Sequence, residues 1–318
     1  MNYRATRPKK FNTHRWPNQW QDVTILQLLH MTSGITSYTV TPILENFNLY
    51  KSYTFNEIVA FSARYQKKYG CNINYQCFKP GSHYGYSNTN YIIAAMIVQK
   101  GFDGHEFSHV MKEKILNPFH QKYSADIYYA MNYNNEMLTN MIHGYTSKLL
   151  ADMYNPLQHQ DSIFAHEDVT TMSLYYANAA GGMTGSTGAL TTVIRAMFSD
   201  DFFNTSSLLR TTGLVRMDNA NKVSSKNINT QCFQKNSDGC YGMGVTVYYL
   251  KNYGQVWTYG GSINGYQTTY YWFKNRNITL AISYNVPINA PSGSGIPKLI
   301  SDASLQVYDA VSEYLNSK

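Results

Sequence analysis

Apolar residues repeat with a helical spacing through much of the first 240 residues. Such stretches are expected to form helices that bury one face. The predicted helices begin at Thr24, Thr54, Tyr91, His105 and Leu190. We expect Gly34 to end the first helix and Asn117-Pro118 to end the fourth, because glycine favours helix ends and proline restricts the residue before it.

From Tyr241 onward the pattern changes to alternation, which is typical of strands with one buried face. A glycine turn is expected after Thr258, and a last helix is predicted to begin at Pro297. The expected strands lie in residues 245–249, 254–258, 266–273 and 278–284. The predicted fold class is therefore α+β, with an antiparallel meander of three to four strands flanked by helices and a mostly helical region before it.

Composition indicates a folded chain with an irregular start. Hydrophobic residues make up 43% of the sequence and charged residues 14%, so we expect a packed core rather than disorder. The net charge is +7, and five basic residues lie in the first 15 positions without a nucleic-acid-binding motif. We predict a basic irregular head over residues 1–21, one domain over residues 22–318 and no nucleic-acid partner. Within the domain, residues 22–240 are expected to be mainly helical, and residues 241–318 to hold the strands and the closing helix.

The four cysteines form two local pairs, Cys71 with Cys77 and Cys232 with Cys240. Each pair flanks a polar segment, which suits two short disulfide loops in an exported protein; four free thiols in a reducing compartment are the alternative. Residues 1–20 lack the apolar core of a signal peptide, and no apolar run is long enough to cross a bilayer. We expect no transmembrane segment, and a periplasmic or secreted location only if the natural N-terminus carries a signal peptide.

Two short stretches combine polar groups that can form a binding or catalytic site. Tyr86-Ser87-Asn88 comes just before the apolar helix and can present hydroxyl and amide groups into a cleft. Tyr259-Gly260-Gly261-Ser262 lies where a strand meets glycines, so its backbone can approach a ligand closely and bind an oxyanion. Tyrosine is a poor base at its usual pKa of about 10, so this chemistry requires a nearby positive charge.

His105-Glu106-Phe107-Ser108-His109 matches the HExxH pattern of zinc peptidases. At helical spacing both histidines share one face, which points away from the core side of Phe107 and Val110. A catalytic zinc ion needs a third ligand, for which Glu136 is a loose candidate. We favour a solvent-facing helix here over a zinc peptidase, and we predict no metal site and no cofactor.

Five stretches resemble, in order, the serine β-lactamase and penicillin-binding-protein family, on the side of class C β-lactamases and D-alanyl-D-alanine carboxypeptidases. They are VTILQLLHMTSGI (residues 23–35), PGSHYGYSNTNY (80–91), ILNPF (115–119), AGGM (180–183) with Ser186-Thr187, and YGGS (259–262) with Gly265-Tyr266. The resemblance runs from about residue 17 to the C-terminus, and YSNTNY is its most specific part.

In that family a serine attacks an acyl carbonyl. The serine is activated by a lysine three residues later and by the tyrosine of a Tyr-x-Asn motif. By position, the resemblance implies Tyr86 as the acid/base, Asn88 as the group that orients a substrate amide, and Ser262 as an oxyanion N–H donor. Tyr259 stands where the family has Lys or His, which removes a positive charge that binds a substrate carboxylate and favours an esterase-like pocket. The other residues expected to contact substrate are Ser87, Gly260 and Gly261.

No serine in the 318 residues has a lysine three positions later. The family's Ser-x-x-Lys pair lies upstream of the VTILQLLHMTSGI stretch, which only 22 residues precede here. The resemblance therefore implies an acyl-transfer or hydrolysis protein that lacks its nucleophile and is inactive or nearly so, as a truncated product or a pseudoenzyme. The alternative is ligand binding without turnover, to a small-molecule or peptidoglycan-like acyl or peptide ligand. The resemblance also places an N-terminal helix and the first sheet strands upstream of this region, so we expect an unpaired sheet edge and self-association.

Overall fold

The computed structural model describes ten stretches of the chain. They are residues 16–40, 51–69, 77–129, 139–145, 168–198, 213–223, 231–233, 239–263, 265–285 and 296–317. Cys71, Glu136 and most of the predicted basic head lie outside them.

The helices lie mainly before the sheet, with one after it. They are α1 (Ile25–Leu29), α2 (Phe55–Tyr69), α3 (Asn88–Gly101), α4 (Phe107–Met111), α5 (Asn117–Tyr123), α6 (Thr187–Phe198) and α7 (Ile296–Asn316). A π-helical turn at Lys112–Leu116 joins α4 to α5, and short 3-10 turns lie at Asn18–Trp20 and Asn178–Ala180.

The strands form a two-stranded ribbon and a seven-stranded antiparallel sheet. The ribbon pairs β1 (Ile127–Tyr129) with β2 (Met183–Gly185). The sheet contains β3 (Leu214–Arg216), β4 (Lys222–Val223), β5 (Cys240–Gly242), β6 (Val245–Leu250), β7 (Gly254–Ile263), β8 (Tyr266–Phe273) and β9 (Ile278–Tyr284). Its order is β4-β3-β5-β6-β7-β8-β9, so neighbours along the chain are mostly neighbours in space.

Helices cover both faces of this sheet, which confirms the predicted α+β class. On one face, Tyr308 of α7 packs on Val256 and Phe273. On the other face, the ring of Phe198 at the end of α6 stacks on Trp272 with centroids 4.8 Å apart. Val256 and Phe273 lie on one face and Trp272 on the other, because successive side chains of a strand point to opposite faces. No helix in the described stretches is both long and apolar enough to cross a bilayer.

Local capping signals in the sequence are confirmed. Thr24 caps α1, with its Oγ1 accepting from the backbone N–H of Gln27 at 3.2 Å and the Gln27 side chain accepting from the Thr24 N–H. Thr54 and Glu57 form the same reciprocal pair at the start of α2. These bonds satisfy N–H groups that a helix start leaves without intrahelical partners.

Two predicted helix ends are wrong. The α1 helix ends at Leu29, well before Gly34, because Met31 takes a left-handed conformation with φ 58°. Asn117-Pro118 does not stop the fourth helix, which continues to Tyr123. Pro118 lies in the first turn of α5, directly after the π-helical turn, where the missing N–H of proline costs least.

The sheet is larger than the predicted meander. The strands β3 and β4 lie before residue 240, inside the region expected to be mainly helical. They are two or three residues long, too short for alternation to be recognised. Cys232 forms a disulfide with Cys240 at the start of β5, with Cα atoms 5.3 Å apart. Cys77 is buried, and its predicted partner Cys71 lies outside the described stretches.

Gly34 lets two segments that hold the start of α3 pass close together. Its φ is +69°, and a Cβ atom added there would lie 1.9 Å from the carbonyl oxygen of Phe78. Nearby, the N–H of Gly81 donates to the carbonyl of Thr32 at 2.7 Å, and the N–H of Gly85 to that of Met31 at 2.8 Å. The residue at position 34 therefore needs both a positive φ and no side chain.

We predict that Gly34→Ala lowers the free energy of unfolding by about 3 kcal/mol or more, through backbone strain and the clash with Phe78. Urea denaturation followed by circular dichroism measures the change. Gly101→Ala is the matched control, since a Cβ atom at Gly101 meets nothing within 4 Å; its effect should stay within about 1 kcal/mol. Equal effects of the two substitutions would contradict this account.

Candidate functional site

The Tyr86-Ser87-Asn88 stretch leads into α3 with its middle residue turned inward. Ser87 has an extended backbone (φ −141°, ψ 117°), in which successive side chains point to opposite sides. Tyr86 and Asn88 are half-buried, whereas Ser87 is 0% exposed. The structure therefore does not support the predicted contact between Ser87 and substrate. Its Oγ atom lies in the interior, without a hydrogen-bond partner among the described residues.

Polar groups in the first turn of α3, mostly side chains, bind the segment between Leu28 and Thr39. The partners belong to α1 and to the irregular chain that follows it. The bonds are Asn88 N–H to Ser37 Oγ (3.1 Å), Asn88 Nδ2 to Thr39 Oγ1 (2.9 Å), Thr89 Oγ1 to the Thr36 carbonyl (2.9 Å), Asn90 Nδ2 to the Leu28 carbonyl (3.0 Å) and Ser33 Oγ to Asn90 Oδ1 (2.7 Å). They fix the position of Asn88 and of the residues beside it.

The second half of the site lies on the end of β7. The pairing of β6 with β7 stops at Thr258, and of the described strands only β8 pairs with Tyr259–Ile263. Contrary to the predicted glycine turn, β7 continues through its glycines, and the chain turns at Gly265 with φ 81°. Gly261 shares a face with Tyr259, and a Cβ atom added at Gly261 would meet nothing within 4 Å. This face of β7 is therefore open beside Tyr259.

Ser262 lies near the end of β7, opposite Gln267 of β8. Its side chain is exposed and, like Gly260, belongs to the face of the strand opposite Tyr259. A Cβ atom added at Gly260 would lie 3.0 Å from Oγ1 of Thr269, so that face is more closely packed. Only the backbone of Ser262 is suited to the predicted oxyanion role.

Tyr86 and Tyr259 meet, with ring centroids 6.2 Å apart. Tyr91 of α3 and Tyr241 of β5 join them, and we call these four residues the tyrosine cluster. The hydroxyls of Tyr91 and Tyr241 are 2.5 Å apart, and the Tyr241 hydroxyl donates to that of Tyr259 at 3.5 Å. The Tyr86 hydroxyl donates to Oδ1 of Asn88 at 3.2 Å. The site thus presents four phenols, three from α3, β5 and β7 and one from the segment before α3.

Burial keeps these phenols neutral. It raises the pKa of Tyr86 and of Tyr259 well above the usual value near 10, and the neighbouring Tyr91 raises both further. Burial also raises the pKa of Tyr91 and Tyr241. In the part of the chain that the structure describes, no lysine, arginine or histidine contributes to these shifts. The cluster can donate and accept hydrogen bonds, but it contains no group ready to take up a proton.

Sequence reasoning missed Tyr91 and Tyr241. Tyr91 follows Asn88 by three residues, so helical spacing places the two on one side of α3, and this signal was available. Tyr241 carries no local signal, because it reaches the cluster only through the pairing of β5 in the sheet. The 29 tyrosines of the chain also make any single one hard to single out.

The HExxH stretch lies on the surface. The helix α4 begins at Phe107, so His105 precedes it and Glu106 is its N-cap residue. His105, Glu106 and His109 are exposed, and the two imidazole rings have centroids 5.4 Å apart. Within the described stretches, no group of three or more His, Cys, Asp or Glu side chains is arranged to hold a metal ion.

A family model for beta-lactamases matches residues 13–305, nearly the whole chain. The chain belongs to the β-lactamase family. This confirms the resemblance expected from the YSNTNY and YGGS stretches. Among curated protein sequences, no relative matches this β-lactamase-family chain.

Solved structures share the fold at low sequence identity. A D-stereospecific amidohydrolase from a Streptomyces species is 22% identical, with a TM-score of 0.63 over 86% of this chain and 73% of that chain. The D-amino acid amidase from Ochrobactrum anthropi SV3, in complex with L-phenylalanine amide, is 19% identical, with a TM-score of 0.68 over 95% of this chain and 76% of that one. An octameric penicillin-binding protein homologue from Pyrococcus abyssi is 19% identical, with a TM-score of 0.54 over 86% of this chain and 54% of that one.

A buried histidine lies one residue before Met31, which packs against the tyrosine cluster. His30 is 1% exposed and precedes Met31, which packs against Tyr241. The pKa of His30 is lowered from 6.5 to about 4, first by burial and then by the charge of Lys222, while a hydrogen bond with the backbone of Gly213 opposes the shift. Its Nε2 atom has no hydrogen-bond partner among the described residues, so protonation would bury an uncompensated charge.

We predict that His30 makes stability depend on pH between about 6.5 and 4. The folded-state pKa lies below the unfolded-state pKa, so the unfolded chain takes up the proton first as the pH falls. The contribution of His30 is fully present above about pH 6.5, and about 3 kcal/mol is lost by about pH 4. Urea denaturation across this range should show a shallower dependence for His30→Gln than for wild type. His109→Gln, at an exposed position, is the control and should retain the wild-type slope; a wild-type slope in His30→Gln would contradict the assignment.

Proposed function

We propose that this β-lactamase-family chain binds acyl or amide ligands in a cleft between Tyr86 and Tyr259, and that its 318 residues alone do not turn them over efficiently. The observation that carries this proposal is the contact between the two phenols, with ring centroids 6.2 Å apart and pKa values raised by burial. A neutral phenol can hydrogen-bond a carbonyl group, but it is a poor general base. The sequence supplies no Ser-x-x-Lys pair to provide the nucleophile and the missing charge.

Two observations support D-configured amides or esters without a free carboxylate as the ligand class. The side chain at position 259 is a phenol, which offers no positive charge to pair with a carboxylate. Two of the solved structures that share the fold are a D-stereospecific amidohydrolase and a D-amino acid amidase. The open face of β7 beside Gly261 is the place where we expect such a ligand to lie.

We predict that the 318-residue protein forms no stoichiometric covalent adduct with a fluorescent penicillin, because no activated serine is present. The wild-type protein should hydrolyse a p-nitrophenyl ester no faster than the Tyr86→Phe variant does, which loses the hydroxyl and keeps the ring. Intact-mass spectrometry detects the covalent adduct. Absorbance at about 400 nm, where the released product absorbs, follows the hydrolysis of the ester. A one-to-one adduct that Tyr86→Phe fails to form would refute the proposed inactivity.

Binding is tested in the same samples by calorimetry with D-phenylalanine amide. Gly261→Val fills the open face of β7, so we expect it to weaken binding at least about tenfold, with the melting temperature little changed. The Tyr86→Phe, Asn88→Ala double variant should weaken binding as well. Gly101→Ala, far along α3, is the control. Saturable binding that none of these cleft substitutions alters would show that the ligand lies elsewhere.

We also propose that the chain self-associates through the β9 edge of its sheet. Of the described strands, β9 pairs only with β8, so its other edge has no strand partner among them. β9 is seven residues long, and an unpaired edge strand of this length can pair with a strand of another copy. A protein that shares the fold is octameric, which is compatible with association of this chain.

We predict that the purified protein is larger than a monomer in light scattering coupled to size exclusion. Ala281→Lys with Ser283→Lys places two charges on one face of β9 and should shift the protein towards the monomer, since charged side chains on an edge oppose strand addition. The matched control is Ser108→Lys with Gln121→Lys, which adds the same charge at exposed positions on α4 and α5. A monomeric wild type would overturn the proposal, as would oligomers that persist in the β9 variant.

A further inference from the structure

We infer that the tyrosine cluster is a binding site for the primary ammonium group of a small ligand. This rests on the proposed function, because it names the group of the ligand that enters the Tyr86–Tyr259 cleft. The argument uses the ring geometry, the number of hydrogen-bond acceptors and the absence of positive charge among the described residues around the cluster.

The four rings of the cluster pack against one another at inclined angles. The centroid of Tyr86 lies 6.2 Å from those of Tyr91, Tyr241 and Tyr259, and the Tyr241 and Tyr259 centroids are 6.1 Å apart. The planes are inclined to one another by 44° to 73°, so the rings present both edges and faces. A cation within about 6 Å of a ring face is attracted by the ring quadrupole, and several rings act together.

The hydroxyl groups converge with more acceptor sites than donors. Each phenol has one O–H donor and two acceptor lone pairs, so the four phenols can give at most four hydrogen bonds and accept up to eight. One donor, that of Tyr86, is directed to Asn88 instead of to the other phenols. The phenol oxygen of Tyr241 lies within hydrogen-bond range of the oxygens of both Tyr91 and Tyr259. The surplus lone pairs suit a group that only donates, and an ammonium group supplies three donors.

No described side chain already supplies that charge. Besides burial, the groups that shift the pKa values of the cluster are other tyrosines, and no lysine, arginine or histidine is among them in the described stretches. Tyr86, Tyr91 and Tyr259 are only half-buried, so a ligand can approach from the open face beside Gly261. A cation in this position is partly desolvated, which strengthens its attraction to the rings and the phenol oxygens.

The direct test uses ethylammonium chloride as the probe and monitors the tyrosine ring signals of the 318-residue protein by NMR. At about pH 6.5 the probe carries a full positive charge. We expect saturable shifts with ethylammonium and none with equal concentrations of potassium chloride or ethanol. Potassium chloride matches the ionic strength of the probe, and ethanol matches its shape. Equal responses to ethylammonium and ethanol would overturn the inference, as would no response to any probe.

A double variant tests the role of the oxygens. Tyr241→Phe with Tyr259→Phe keeps both rings and removes two hydroxyls that contact one another. We expect ethylammonium to bind at least about tenfold more weakly to it. Tyr128→Phe, at an exposed position of β1, is the control and should bind as wild type does. Circular dichroism checks that the double variant is folded; if it is not, the wild-type comparison of ethylammonium with ethanol decides the question.

A second pair of ligands separates this inference from the proposed function. D-phenylalanine amide carries an α-ammonium group, whereas N-acetyl-D-phenylalanine amide has the same ring and amide without the charge. We expect the charged ligand to bind at least about tenfold more tightly in calorimetry. Equal affinities would overturn the ammonium site and leave the amide-binding function standing. Binding of ethylammonium without binding of either amide would overturn the amide-binding function and leave the ammonium site standing.

Discussion

The site depends on the buried hydrogen bonds between the first turn of α3 and the segment from Leu28 to Thr39. Asn88, Thr89 and Asn90 use their side chains to satisfy carbonyl and hydroxyl groups of that segment. A buried polar group left without a partner costs about 1–3 kcal/mol, so several such bonds strongly disfavour any other arrangement. Because the bonds begin at Asn88, the backbone just before it is held as well, and Tyr86 is placed with little freedom.

The other half of the site is placed by strand register. Tyr259 lies opposite Tyr270 of β8, and β7 extends past the end of β6. A shift of one residue in this pairing would turn Tyr259 to the opposite face of the sheet and bring Gly260 to the cleft. The packing of Trp257 against Trp272 and of Val256 against Phe273 opposes such a shift, because both pairs would exchange faces. The core of the sheet therefore also sets the geometry of the cleft.

Sequence patterns predicted the parts of the molecule that depend on local chemistry. The caps at Thr24 and Thr54 need only residues three positions apart, and the long strands β7 to β9 carry enough alternation to be recognised. The order of motifs around Tyr86 and Tyr259 predicted the family, and with it the meeting of two distant stretches. Features that depend on tertiary contacts were not predictable in the same way. Met31 ends α1 in a left-handed conformation, and Ser87 turns inward, although nothing in the neighbouring residues announces either.

The remaining errors have a common physical origin. Pro118 was expected to end a helix, but a π-helical turn before it accommodates the missing N–H. The glycines after Tyr259 were expected to form a turn, but pairing with β8 keeps them in the strand. In each case the local preference is worth on the order of a few kcal/mol and was outweighed by the contacts of the finished fold.

The chemistry of the cleft follows from the effect of burial on a phenol. Removing a hydroxyl from water disfavours its charged form, and hydrogen bonds from neighbouring phenols offset this only in part. The closeness of Tyr86 to Tyr259, with Tyr91 and Tyr241 beside them, therefore makes each phenol harder to ionise, so the phenolate that could act as a base is scarcely populated. A serine placed against Tyr86 in this environment would find no group to take its proton. Hydrolysis in this cleft would need a positive charge as much as a nucleophile, because only a cation beside the cluster can bring the phenol pKa towards the working pH.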